Sequence, residues 1–406
     1  MGYNPSSKFP RLEEIWASKA STKQRAGRAG RTKEGTCYRL ISSSGYETLA
    51  ERSLPEMLRL PLDGLVLQMK AMRIEKTPAE VLDMTLDPPP QTSIQQAIST
   101  LNWLGALDEE SSCLTPLGWH LASLPCPAQI GKMVVYGALL DCFEPVLSIA
   151  AGLLCKSPFV NPKNDDLKVR VNNAKKKMSL IAGGRSDHTM LAVTFAQWES
   201  KRSHLEKKAF CEENGIVGER MKEISATRNQ IGQSVLKLGF SSAKLSSLNW
   251  KVVRAAVCAG LVPNVAKITM PSEKFVDLVG LGKVSVENSP ENFRYFAPVQ
   301  CLAFEEKWER VFIHNSSVNY STNDWSSPWV VYHQRLQTSK PFLFDCTEAS
   351  PYSLLLFGGP IEVNPTLETI SVNGWVKFRA VGRIGALVGS LRKKIDELLW
   401  EKIRNP

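Results

Sequence analysis

The sequence predicts a multidomain chain, mainly α-helical, that ends in a small β-barrel followed by one helix. Three observations predict this. From residue 94 to about 260, apolar residues recur at spacings of three and four. After Leu261-Val262-Pro263 the spacing falls to two, and short apolar runs alternate with glycines. From Ile384 a helical stripe returns. With 406 residues and 43% hydrophobic content, the chain can build about two to four cores.

The net charge of +10 suits a polyanionic partner such as nucleic acid. The nine cysteines are scattered, with no CxxC and no histidine at ligand spacing, so no metal site is expected. Most cysteines sit in apolar runs and read as small core residues of a reducing compartment, cytoplasm or nucleus, with an organelle left open. The five histidines read as structural or hydrogen-bonding. No apolar run is long enough to span a membrane, and the first residues lack the apolar stretch of a signal peptide.

Residues 1–60 hold one expected strand, Cys37-Tyr38-Arg39-Leu40-Ile41, too little to fold unaided. Within them lies Gln24-Arg25-Ala26-Gly27-Arg28-Ala29-Gly30-Arg31. A helix would present Arg25, Arg28 and Arg31 on one face. Buried and unpaired, three cations would be costly, so an anion should lie opposite. A solvated basic face is the alternative.

Residues 61–125 read as helices with a small wing. Ser93 with Gln96 suggests a capping box, and Gly105 a helix stop. Thr115-Pro116 marks another helix start, with Leu117, Leu121 and Leu124 as its buried stripe. Residues 126–245 read as a helical bundle with stripes at Ile130–Leu140, Val146–Leu153 (started by Pro145) and Met221–Leu238. Between them, Asn161 to Lys177 reads as a polar loop or helix end.

Residues 246–383 comprise one helix and then short strands at 265–270, 275–279, 284–287, 293–299, 311–314, 329–333, 342–345, 354–357 and 370–380. Asn373-Gly374 is a hairpin turn. Residues 384–406 form an amphipathic helix with Ile384, Leu387, Leu391, Leu398 and Leu399 on one side, expected to pack back on the same chain.

The octapeptide at 24–31 resembles motif VI of the DEAH/RHA family of superfamily-two helicases, the RNA helicase A-like branch. Trp16–Ser21 and Gly35–Leu40 resemble its flanks. Leu54–Arg59 and Leu114–Gly118 resemble its winged helix; Pro127–Met133 and Asp187-His188 its ratchet bundle. Cys258–Ala266, His314–Asn319 and Thr338–Lys340 resemble its terminal OB-like domain, with Asn315 where most relatives carry proline.

The resemblance implies that residues 1–60 are the C-terminal remnant of a second RecA-like domain. It assigns Gln24, Arg28 and Arg31 to catalysis, and Arg25, Arg28 and Arg31 to nucleotide binding. Gln24 would place the attacking water, and Arg28 and Arg31 would be arginine fingers on the γ-phosphate. His314, Ser316, Ser317 and Lys340 are the expected RNA contacts. The implied cofactor is ATP with Mg2+, bound mainly by a RecA-like domain that these residues lack: no G-x-x-x-x-G-K-[ST] loop and no Asp-Glu-x-His quartet occurs.

The expected activity is ATP hydrolysis coupled to 3′-to-5′ movement on RNA, the 406 residues alone being inactive. The start at Met1 reads as a truncation or an unusual gene model. Expected partners are RNA, the missing RecA-like domains and a protein cofactor at the winged helix or OB-like domain, with no membrane. The competing readings are a stand-alone RNA- or protein-binding module without ATPase activity, and an adaptor for another helicase.

Overall fold

In the computed structural model, residues 16–108, 110–162, 164–240, 248–269, 290–298 and 308–406 are described. The backbone of four short strands is added: β1 (Gly2–Tyr3), β2 (Pro10–Arg11), β4 (Phe275–Leu278) and β5 (Gly282–Ser285).

Helix α1 (Lys19–Ala26) starts where the Ser18 side chain accepts from the Ser21 amide, and it stops at Gly27. Arg28 and Arg31 therefore lie beyond the helix. The Arg28 amide donates to the Arg25 carbonyl, winding the chain into a turn. The single helical face expected for the three arginines is not formed, because two glycines within four residues favour the turn. Residues 37–41 form no strand, with bends at Leu40 and Ile41, and Tyr38 and Leu40 are exposed. A strand needs a neighbour for its backbone groups, and none of the described strands lies beside these residues. Helix α2 (Ser43–Glu47) follows. Among residues 16–60 only Ser18 and Leu49 are buried, so this segment has no core of its own.

The next helices are α3 (Asp63–Ala71), α4 (Pro78–Asp83), α5 (Gln91–Trp103) and α6 (Pro116–Ser123). Helix α5 begins after Pro90, which places Ser93 inside the helix rather than at its cap. Gly105 at φ 71° ends it, and a Leu107–Leu114 bridge makes the wing. Thr115 caps α6 as expected, accepting from the Gly118 amide.

Seven helices follow: α7 (Ala128–Leu139), α8 (Phe143–Leu154), α9 (Asp165–Ile181), α10 (Asp187–Glu199), α11 (His204–Asn214), α12 (Gly218–Lys237) and α13 (Trp250–Leu261). The polar stretch expected as a loop or helix end is helix α9, capped by Asn164 and with Val171, Ala174 and Met178 buried. Its apolar stripe is thin, so the lysines masked its period. Helix α8 begins at Phe143, two residues before Pro145. Leu101, Leu121, Ile130, Leu147, Ile231 and Ile403 share one core, so the winged helix, the bundle and the C-terminus are fused.

Five strands then close a barrel: β3 (Val265–Thr269), β6 (Arg294–Pro298), β7 (Trp308–Ile313), β8 (Trp329–Gln337) and β9 (Pro341–Glu348). The cyclic order is β3-β6-β7-β9-β8, antiparallel throughout except that β7 and β9 run parallel. A closed ring of this kind leaves no free edge. Ile268, Tyr295, Val311, Trp325, Tyr332 and Leu343 fill it.

The strand expected at 354–357 is helix α14 (Pro351–Phe357), started by the Ser350 cap and Pro351. Strands β10 (Ile361–Asn364), β11 (Thr369–Val372) and β12 (Val376–Arg379) form a separate antiparallel sheet. It turns through Asn373 and Gly374 at φ 54° and 79°. Helix α15 (Gly382–Arg404) packs back on the chain, but through Gly385, Leu399 and Ile403. His120 Nε2 lies 2.7 Å from the Ile403 carbonyl. The expected face is largely outside: Ile384, Leu387, Leu391 and Leu398 are exposed.

Candidate nucleic-acid interface

Two surfaces collect the residues that the sequence singles out. The first is α1 with its turn. Gln24, Arg25, Arg28 and Arg31 are all exposed there, and none of the three arginines is ion-paired among the described residues. Among the described residues the one ion pair of this helix is Lys19 with Glu51, at 2.7 Å. A Cβ on Gly30 would meet nothing within 4 Å, whereas one on Gly35 would fall 2.3 Å from the Ala29 carbonyl. Gly35 thus lets the chain fold back under the turn, and Gly30 leaves its outside open. Open guanidinium forks of this kind fit an anion approaching from outside.

The second surface is the junction of the ratchet helices with the barrel. Strands β7 and β9 pair Phe312 with Phe342, so alternate residues of both point outward together. His314 stacks on Phe344 with ring centres 4.2 Å apart, and Phe312 lies 6.2 Å from Phe342. Lys340 sits 4.9 Å over Phe312, and Arg310 5.1 Å over the same ring. His314 Nδ1 accepts from the Ser316 amide. His314, Ser316 and Lys340 are therefore brought onto one basic, aromatic face. Burial, then the Lys175 charge, hold the His314 imidazolium below its usual range.

Ser317 does not belong to that face. It is 8% exposed, and its hydroxyl donates to Asp187 at 2.5 Å. Trp325, Trp329, Tyr332 and Arg335 of the same domain are also buried. Trp325 and Tyr332 fill the barrel core, while Trp329, on the opposite face of β8, packs into the core shared with the helices.

Asp187 opens α10 and holds the junction together. Its carboxylate accepts from Ser317 Oγ and from the amides of Val318 and Cys346, both at 2.8 Å. Beside it, Asp345 stands at φ 52°. Burial, then the Asp187 charge, push the Asp345 carboxyl up to about 7. Lys175 on α9 donates to the Ser316 carbonyl at 2.8 Å, and burial lowers its pKa. His188 is fully buried with Nδ1 2.7 Å from Thr347 Oγ1, and burial takes it down to about 3, so it is neutral and structural.

Between α9 and the loop 315–324 runs a groove of about 450 Å³. Asn172, Asn173 and Lys176 line its helical wall, and Tyr320 and Asn323 its loop wall. Sequence reasoning missed this groove because it took the lysine-rich stretch for a solvated loop or helix end. Counting Asn172, Lys176 and Leu180 at a period of four would have found the face. No cluster of three metal-ligating side chains occurs among the described residues. No helix there is long and apolar enough to cross a membrane.

Comparison with known proteins follows the same order along the chain. Residues 97–126 match the winged-helix, and 127–191 the ratchet-like, model of the helicase associated domain. Residues 253–361 match an oligonucleotide/oligosaccharide-binding (OB) fold, and 368–406 the C-terminal domain in RNA helicases. All of this chain aligns at 38% identity with 38% of the ATP-dependent DNA/RNA helicase DHX36 of Homo sapiens. It aligns at 32% with 30% of the putative ATP-dependent RNA helicase DHX57 of Mus musculus. It aligns at 33% with 29% of the ATP-dependent RNA helicase dhx29 of Xenopus laevis. The chain thus spans about 38% or less of the length of these relatives. With a winged helix, a ratchet bundle, a five-stranded OB barrel and a helicase C-terminal unit in one order, the chain belongs to the DEAH/RHA helicase family and corresponds to the C-terminal part of its members.

Proposed function

We propose that this chain is the C-terminal portion of an ATP-dependent RNA helicase, with Arg28 and Arg31 as arginine fingers and the ratchet–barrel unit as the strand holder. The observation that carries this reading is the open turn after α1. Three guanidinium groups stand in solvent there without an acidic partner among the described residues. The segment 16–60 that bears them is read as the end of a second RecA-like domain. Its lack of a core supports completion by further chain.

ATP with Mg2+, when bound on a RecA-like domain beyond these residues, supplies the terminal phosphate and the driving force. Arg28 and Arg31 neutralise charge that develops on that phosphate, and Gln24 orients the attacking water. Arg25 binds the nucleotide from the end of the helix. His314, Ser316 and Lys340 hold RNA phosphate or sugar, and the strand moves 3′ to 5′ between strokes. The chain alone, without a phosphate-cradling loop in its 406 residues, does not turn over ATP.

The test replaces the matching C-terminal part of the human relative with this chain. Arg28→Ala and Arg31→Ala in that chimaera should each lower kcat about a thousandfold or more. Undiminished turnover by both variants sinks the finger assignment, and RNA-stimulated hydrolysis by the isolated chain sinks the division of labour. A nucleotide-independent RNA-binding module is the second reading, favoured by the self-contained groove. It gains if binding falls steeply with salt and ignores nucleotide while the chimaera stays inactive.

A further inference from the structure

The groove between α9 and the loop 315–324 carries features that phosphate binding does not need. Asn172, Lys176 and Leu180 fall at i, i+4 and i+8 and share its helical wall, with Asn173 alongside. Leu180 is 64% exposed, and Tyr320 on the loop wall is 59% exposed. Two apolar surfaces are thus left in water on facing walls. The amides of Asn172, Asn173 and Asn323 make no hydrogen bond among the described residues. An amide offers donor and acceptor side by side. At about 450 Å³ the space falls within the range of small-molecule sites, which is roughly 300–1,000 Å³. Space is free beside Gly184, which lines it, since a Cβ there would touch nothing within 4 Å.

A sugar–phosphate backbone would use cations and leave the apolar walls idle. A purely apolar ligand would leave the amides without partners. An unpaired base uses both, through a flat face for stacking and a polar edge for hydrogen bonds. We propose that this groove takes one unpaired nucleobase of the bound strand. The base lies between Tyr320 and Leu180, Asn172, Asn173 and Asn323 read its edge, and Lys176 meets the adjoining phosphate. The proposal rests on the nucleic-acid reading above and deepens it. It gives the chain a base preference that a barrel holding only backbone would lack.

The test uses the full 406-residue chain and single-stranded RNA oligomers of each base, plus one abasic strand, with binding read by fluorescence anisotropy. A 2-aminopurine placed along the strand reports stacking directly. Wild type should prefer one base, bind the abasic strand least and quench the 2-aminopurine. Tyr320→Ala should weaken the preferred strand about tenfold, the effect of one lost base–aromatic stack, with the salt slope unchanged. Tyr320→Phe should restore binding, and Asn173→Ala should flatten the preference. Equal affinity for all strands, the abasic one included, overturns the proposal, as does a Tyr320→Ala variant that keeps both affinity and quenching. In those cases backbone binding survives and the proposed function stands. No binding of any strand at low salt sinks both together.

Discussion

Replacing Asp345 with Asn removes a charge that the fold disfavours. Asp345 lies on β9 beside Asp187, and burial with that neighbour raises its carboxyl from 3.8 to about 7. Lys175 pulls the other way and does not cancel the effect. A raised carboxyl means that the folded chain holds the proton more tightly than the unfolded one. The stability that this group contributes is therefore fully present below about pH 4 and is lost as pH climbs through 7. A gap of about three units at ~1.4 kcal/mol each caps the loss near 4 kcal/mol, and the partial exposure of Asp345 brings it to roughly 2–4 kcal/mol. Asn cannot ionise, and it tolerates the left-handed backbone found there. Urea unfolding of both proteins at pH 4.5 and pH 8 is the assay. The two should be close at the lower pH, and Asp345→Asn should be the more stable at the higher. A variant equal to or weaker than wild type at pH 8 would falsify the account of this junction.

Three further outcomes follow from the packing and the groove. Gly260→Ala would put a Cβ 2.4 Å from Met133 Cβ and 2.8 Å from the Gln129 carbonyl, so α13 and α7 must part. A loss of about 1–3 kcal/mol in thermal unfolding is expected, and an unchanged melt would contradict the helix spacing. Thr115→Ala removes the α6 cap and a hydroxyl donor to the Gly105 carbonyl at 2.6 Å. It should cost ~1 kcal/mol, with Thr115→Ser recovering most of it in the same melt. Lys176→Ala should weaken single-stranded RNA binding for every sequence alike and reduce the salt slope by about one; a slope left as it was removes Lys176 from the phosphate path.

Much of the architecture was legible because it rests on local rules. Thr115-Pro116 had to start a helix, Gly105 had to end one, and Asn373-Gly374 had to turn a hairpin. The same rules, applied to Ser350-Pro351, would have turned the expected strand at 354–357 into a helix. The stretch 161–177 failed for another reason. Its buried stripe is only Val171, Ala174 and Met178, and the lysines between them outweigh it in any reading of polarity.

The order of units, the helix-to-strand switch near residue 263 and the arginine-rich octapeptide were determined by the sequence alone, because capping, turn chemistry and periodicity act over a few residues. The tertiary structure decided what long-range packing controls. It turned Ser317, Trp325 and Tyr332 inward while leaving His314 and Lys340 on the outer face. It also set Asp345 of the barrel beside Asp187 of the bundle, 158 positions away in the chain, and opened the groove between α9 and the loop 315–324 that neither segment encodes by itself. Side-chain direction on a strand flips with every residue, so only the closed barrel and the helix packed on it could settle which groups meet the strand.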